Sequence, residues 1–425
     1  DFYTKGLSIM SERTDENGEI IVRDETFYNV ITIGTFNNVA VKFPSVSGTR
    51  KTSIDPITTH TIVTENSFSV DSYGNVTSSV NRGSTDETED DVYISIRYQY
   101  DTYNYILNNP TRLTVKDSAG KILRERIGTY NSRGNLTELE QVCATGDNPV
   151  TSLQWDTYGN LTRITDPVGY TRSYTYDDEI HTFVTEVTDS FGYTSRSVYD
   201  YALGVETASF DLNNNVMRRT FDSFGRLASV YSPYDDYPAG TPAIRFEYLR
   251  NTFPFRAVTY NKIHFDSGNS ETLDTVLITD GLGRVIQTKK EGEVYNAATQ
   301  SISYGMNVSG AVVYYVMGRT YQQGQPVFEE GYNTTYNGPV ALRNATTTLY
   351  DSLGRVIETS FPDDTRTTID YSIQDGRYKT VVTDPLLRQR VEFRDYRDNI
   401  VELVQYKENQ PIKTTYKYNL LSEIT

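Results

Sequence analysis

The chain has 425 residues, 23% of them charged, a formal net charge of −16 and a mean hydropathy of −0.53. That composition fits neither a disordered chain nor a membrane protein, and no apolar stretch approaches the ~18 residues of a transmembrane span. The acidic balance lacks the basic footprint of a nucleic-acid binder, and the single cysteine, Cys143, rules out an intramolecular disulfide.

In chain order, residues 1–65 read as a β-rich first segment, with alternating runs at Glu19–Asp24 and Val30–Phe36. Residues 66–425 read as a repeat segment. Its unit is a turn: aromatic, Asp, two variable residues, Gly, then Asn or Arg, then an aliphatic residue. The turns begin with VDSYGNV (Asp71, Gly74), KDSAGKI (Asp117, Gly120) and YNSRGNL (Gly134). WDTYGNL (Asp156, Gly159) and Asp166-Pro167-Val168-Gly169 follow. Next come TFDSFGRL (Asp222, Gly225, Arg226), TDGLGRV (Asp280, Gly283, Arg284) and LYDSLGRV (Asp351, Gly354, Arg355). Between them, Ser84–Asp91 reads as a solvated acidic loop, and its spacing does not match a calcium-binding EF-hand. Tyr231–Pro242 is a Pro- and Gly-rich interruption. Stretches 228–278 and 292–347 are degenerate, apart from a weak turn at Tyr314–Arg319. At Arg394–Ile400 the turn persists with Asp398 in the Gly place, which requires Asp in a left-handed conformation.

The register supports all-β structure. Asp189, Asp200, Asp211 and Asp222 recur at intervals of 11 residues. That interval holds a four-residue turn and a strand of about seven, an ordinary strand length. Asp in first place accepts from backbone N–H groups in an Asx-turn, and Gly supplies the left-handed residue that closes a bulged hairpin. The spacing therefore sets Asp222 against Arg226, Asp280 against Arg284 and Asp351 against Arg355. Aromatic and aliphatic residues form the next pair out. One point stays open. The aliphatic residue after one turn and the aromatic before the next are five apart, which places them on opposite faces unless bulges correct the phase.

These motifs resemble the RHS or YD repeat of bacterial polymorphic toxins, Tc-toxin B components and wall-associated proteins. The stretches Trp155–Glu179, Thr279–Glu293, Val308–Glu329 and Leu349–Tyr371 resemble in particular the B-type half of the Tc toxin shell and the plasmid virulence protein B-like toxins. Asn104–Leu136 fits the same group. The resemblance implies a β-hairpin spiral forming part of a hollow shell. It implies as partners the remaining shell (a C-type half or downstream core) and an enclosed toxin polypeptide, and a secreted or bacterial cell-surface location. The chain's beginning, Asp1–Met10, is not a signal peptide, and its end, Tyr416–Thr425, opens another repeat, so it reads as a piece of a longer protein.

The chemistry-bearing residues form no recognisable site. His60, His181 and His264 show no metal-ligand spacing. Neither a nucleophile elbow nor a phosphate loop is present. Asp177 and Asp178 have a conformational reason to sit at a turn, which weighs against an acid–base pair. The reading is a structural segment with no catalytic, cofactor or metal residues. The alternative is a surface adhesin whose tyrosines stack on glycans, and a weaker third is an enzyme within residues 228–347. Asn75, Asn135 and Asn160 begin N-x-T patterns that are phases of the repeat rather than glycosylation signals.

Overall fold

The computed structural model describes residues 2–264, 271–338, 342–407 and 410–425. The chain is nearly all β, as the turn spacing implies. Among the described residues the regular elements are strands, from Met10–Thr14 to Gln410–Thr415, and one 3-10 turn at Phe2–Thr4. Except where two strands are split, each strand pairs antiparallel with its neighbour along the chain, so the architecture is one long meander. It comprises a 23-stranded sheet and a 9-stranded sheet.

The two sheets share split strands. Strand Ser301–Val308 lies in the first sheet and its continuation, Val312–Tyr314, in the second. Across the interruption Ser309 N still donates to Thr288 O at 2.8 Å. The return strand divides likewise: Thr320–Gln323 pairs in the second sheet and Val327–Glu330 in the first. The ribbon is thus continuous, and its hairpin turns alternate between two edges. We call the leading edge the one bearing the turns at Asp71, Asp156, Asp222, Asp280 and Asp351. The trailing edge bears those at Asp15, Asp117, Asp166, Asp189 and Asp211.

The ribbon is open rather than compact. Its accessible surface is 26641 Å², against roughly 16,500 Å² for a compact protein of this mass. The best-packed cluster, Val258, Val276, Ile278, Met306 and Val308, is at most 1% exposed. It lies largely in the stretches where the turn consensus fades. Lys289 is fully buried there and pairs with Glu329 at 2.6 Å. The Tyr231–Pro242 interruption is tied down by a second buried pair, Lys262 with Asp235 at 3.0 Å.

The hairpins have the geometry that their residue types dictate. At Asp222, Gly225 N donates to Asp222 O and Asp222 N to Arg226 O, both at 2.9 Å. The carboxylate accepts from Phe224 N at 2.9 Å and Arg226 N at 3.0 Å, and Arg226 Nε reaches its second oxygen at 2.8 Å. Gly225 has φ +73°, a region that β-branched residues avoid. Asp398 occupies the same place at φ 68°. The next pairs out are Phe221 with Leu227, Trp155 with Leu161 and Tyr350 with Val356.

The phase question has a divided answer. Leading-edge hairpins mostly carry a bulge on the strand leaving the turn. Trp155 pairs with Leu161 and Gln154 with Arg163, which leaves Thr162 extra. An inserted residue shifts the alternation by one. Val205 and Phe210 therefore share a face across the bulge at Thr207. Val216 and Phe221 flank no bulge on the trailing-edge pairing, and they alternate to opposite faces. At several bulges the extra residue is a Thr whose hydroxyl bonds the facing strand: Thr77 to Ser69 O at 3.3 Å, Thr137 to Thr129 O at 3.1 Å. This gives the Thr of the N-x-T pattern a structural task at those turns.

A bulge frees a carbonyl, and the next hairpin along the edge fills it. Tyr176 OH donates to Leu161 O at 3.1 Å, Tyr248 OH to Leu227 O at 2.9 Å and Tyr314 OH to Val285 O at 2.7 Å. Tyr350, Tyr371 and Tyr418 do the same to Thr320, Val356 and Ile400. Trp155 uses its indole N–H on Leu136 O at 2.7 Å. Where the motif has Arg, the guanidinium also lies against that tyrosine's ring. Arg226 is 4.2 Å from Tyr248, Arg284 4.5 Å from Tyr314 and Arg355 4.1 Å from Tyr371. One hairpin thus grips the ring and the hydroxyl of the next.

Two outcomes follow. Tyr371→Phe keeps the ring on Arg355 but leaves the Val356 carbonyl without its donor. A loss of about 1 kcal/mol is expected in urea melts, and an unchanged midpoint would contradict the link. Gly225→Val forces a β-branched residue to positive φ and should cost about 1–3 kcal/mol in the same assay.

Candidate functional site: the turn edges and the seam between coils

The sequence-derived turn residues do not converge on a pocket. Asp71, Asp156, Asp222, Asp280 and Asp351 start closed turns along the leading edge, with Gly74, Gly159, Gly225, Gly283 and Gly354 donating back to them. Gly134 closes a turn that Asn131 begins. Asp117–Gly120 and Asp166–Gly169 lie on the trailing edge. Each carboxylate is occupied by its own turn. Arg226 holds the Asp222 carboxyl below its ordinary range, and backbone donation from Arg226 and Phe224 adds to this. Asp177 is the extreme case. Burial alone would raise its pKa, but the amides of Phe183, Ile180, Thr182 and His181 outweigh it and hold the carboxyl far below the usual range.

No local pattern in the sequence announces the contact between distant parts of the ribbon. The ribbon coils, and leading-edge turns of its last hundred residues meet trailing-edge turns of its first hundred or so. Ile373 N donates to Asp55 Oδ2 at 2.9 Å, Ser53 Oγ is 2.9 Å from Tyr378 OH, and His60 Nδ1 is 3.2 Å from Ile373 O. One step along, Arg397 donates to Asp90 O at 2.8 Å. One step further, Arg124 reaches Glu423 at 3.5 Å. These partners are 318, 307 and 299 residues apart, so one coil takes roughly 300 residues.

In the Ser84–Asp91 loop, Thr85–Glu89 are exposed, as the sequence reading has them, but its end is not solvated: Asp90 and Asp91 are buried. Asp90 Oδ2 accepts from Ser84 N at 2.8 Å, and Tyr396 from the last coil packs beside it. Burial, with Asp90 adding to it against the opposing charge of Arg397, pushes the Tyr396 hydroxyl pKa well up. Gly83 is required here, because a Cβ would lie 2.5 Å from the Tyr396 hydroxyl. No local pattern could have shown this, since the partner lies a full coil away. Where Arg13 and Asp15 approach Asp351 and Arg355, the seam opens into a cleft of ≈ 760 Å³.

Chemistry-bearing groups stay dispersed. Among the described residues no group of three or more His, Cys, Asp or Glu could hold a metal ion. His60 serves the seam. His181 stacks on Tyr158 with ring centroids 3.8 Å apart, and His264 lies 3.5 Å from Glu271. No helix among the described residues is long and apolar enough to cross a membrane.

No protein-family model and no curated protein matches the sequence. Solved structures do match the fold. The TcdB2–TccC3 crystal structure aligns with TM-score 0.77 at 15% identity, over 100% of this chain and 29% of that one. The TcdB2–TccC3–Cdc42 structure aligns with TM-score 0.78 at 14% identity, over 99% and 31%. The Photorhabdus luminescens Tc holotoxin pore aligns with TM-score 0.76 at 13% identity, over 99% and 30%. The chain therefore has the fold of a region of Tc toxin complexes and spans less than a third of those chains.

The seam generates a pH prediction. Burial would raise the Asp55 carboxyl, but the amides of Ile373, Thr58 and Ile57 pull it below its ordinary value. A depressed folded pKa stabilises fully above the unfolded value of about 3.9 and loses that contribution as pH falls through the folded one. Relative to the intrinsic exchange rate at each pH, the Ile373 amide should be strongly protected at neutral pH and lose that protection in acid. Asp55→Asn sets an amide donor against the Ile373 N–H, so fast exchange is expected already at neutral pH. Continued protection in the variant would show that Asp55 does not hold the seam.

Proposed function

We propose that this chain is a wall segment of a bacterial RHS-repeat toxin shell, which encapsulates a toxin polypeptide and helps to deliver it. The observation that carries this reading is the coil closed by the Asp55–Ile373 and Asp90–Arg397 contacts. A ribbon whose later coil is fastened to its earlier one is suited to enclosing space. The fold match to Tc toxin complexes over the whole chain supports it. One neighbour is described as TcdB2–TccC3 without its hypervariable C-terminal region, and in this proposal a comparable polypeptide is the passenger. The chain supplies wall rather than catalysis, its partners are the other parts of the shell, and it acts outside the producing cell or at its surface.

The test is limited proteolysis of a longer protein carrying this chain and a downstream passenger. The passenger should resist protease until denaturant opens the seam. It should become sensitive in an Asp55→Asn, Arg397→Ala variant. A passenger digested as fast as the isolated polypeptide would end the encapsulation reading. Binding on a glycan array would then favour a surface adhesin.

A further inference from the structure

The seam is closed at three successive steps and open at the one before them. The groups around Asp55, Asp90 and Arg124 each touch the facing coil. Between the turn at Asp15 and the turn at Asp351 the coils stand apart around the cleft of ≈ 760 Å³. That volume lies within the range of small-molecule sites, roughly 300–1,000 Å³, and has no room for a folded partner. Both walls are internal segments, from residues 13–57 and 349–378. The first residues lie elsewhere: Lys42 sits over the Tyr3 ring at 5.5 Å, about 30 Å up the strand from Lys51 in the cleft wall.

The lining is aliphatic where the repeat is otherwise polar or small. The two places in question are the residue before the aromatic and the residue after the aliphatic. There the hairpins at Asp71, Asp156 and Asp222 carry Ser69 and Thr77, Gln154 and Thr162, and Thr220 and Ala228. The Asp351 hairpin carries Leu349 and Ile357, which line the cleft and are 36% and 37% exposed. The Asp280 hairpin has a matching pair, Ile278 and Ile286, and there the packed cluster covers it. At Asp351 the cleft stands in that place, and Ile57 in its far wall is 90% exposed.

The rim sets the charge of an occupant. Arg13 and Arg355 are held by Asp24 and Asp351 at 3.1 and 2.7 Å. Among the described residues Glu16 and Asp370, on opposite walls, form no ion pair, and neither does Lys51. Two unpaired carboxylates against one unpaired ammonium favour a positive group at the mouth.

We propose that this cleft binds an aliphatic chain with a cationic head, a ligand of the alkylammonium class. The chain lies between Ile57 and the Leu349–Ile357 pair, and the head faces Glu16 and Asp370. Such a ligand touches both coils, so it binds the closed seam and stabilises it. The inference rests on the cleft alone and does not depend on encapsulation.

The probes are decylamine, decanol and decanoate, which share one chain and carry a positive, a neutral and a negative head at neutral pH. Calorimetric titration of the full chain, below micelle-forming concentrations, should give affinities in that order. Ile57→Gln with Leu349→Gln should weaken all three by about tenfold or more. Should that double variant not fold by circular dichroism, Ile57→Gln alone, at an exposed turn tip, takes its place. Glu16→Gln with Asp370→Asn should remove the advantage of decylamine and leave decanol binding unchanged. Phe253→Gln, at a side chain 79% exposed and outside the cleft, should change nothing. Bound decylamine should also increase protection of the Ile373 amide. Absence of decylamine binding would overturn the proposal, as would decanoate binding as tightly as decylamine. So would a loss of affinity in Phe253→Gln equal to that in the cleft variants, or an Ile373 amide whose exchange ignores the ligand.

Discussion

The structure depends on the grip of one hairpin on the next. A bulged hairpin has a defect that it cannot repair itself: a backbone carbonyl on the strand leaving the turn without a ladder partner. Buried or half-buried, such a group costs free energy until something donates to it. The tyrosine of the following hairpin does so, and the motif arginine, already fixed by its own Asp, lies against that ring. The defect in one unit becomes the attachment point for the next. This gives tyrosine its task at the turns where it stands in the aromatic place, as at Tyr176, Tyr350 and Tyr418. It also accounts for Arg or Asn after the Gly, since Asn160 bonds both Asp156 and the carbonyl of His181.

A ribbon built in this way needs no central core. Its stability is close to a sum of unit and neighbour terms, as in other repeat proteins. The surface excess over a compact protein is the visible consequence. The best-packed cluster sits close to where strands split between sheets, at Ser301–Val308 and Val327–Glu330. There the ribbon passes from one sheet to the other within a strand. The hairpin grip continues across the split, through Tyr314 on Val285 O and Tyr350 on Thr320 O, and apolar burial with the enclosed Lys289–Glu329 pair adds to it. The fading of the turn consensus and the gain of a core are two sides of one local change.

Much of this was legible in the sequence. The Asp-x-x-Gly spacing fixed the turns at Asp156, Asp222, Asp280 and Asp351, and the residue facing each Asp followed from turn geometry. Even the left-handed Asp398 was readable. The bulge was readable only as an alternative, because pattern alone does not say which strand carries the extra residue. Alternate hairpins turned out to differ in this. The tyrosine tips were missed for a simpler reason: a hydroxyl's partner lies one hairpin away, and the spacing between donor and acceptor varies, from Leu161–Tyr176 to Thr320–Tyr350.

The seam was not legible at all, and its chemistry explains why. It uses generic groups: a backbone N–H, a serine, a histidine and a carboxylate that also caps its own turn. Asp55 looks like any other turn-starting Asp, because its first oxygen performs that task for Ile57 and Thr58. Only its second oxygen crosses to Ile373. The leading-edge turns with Arg spend that second oxygen on their own guanidinium, as Asp222 does on Arg226. At Asp55 the residue after the turn is His60, neither Arg nor Asn, and the second carboxylate oxygen is free to bind across the seam to Ile373.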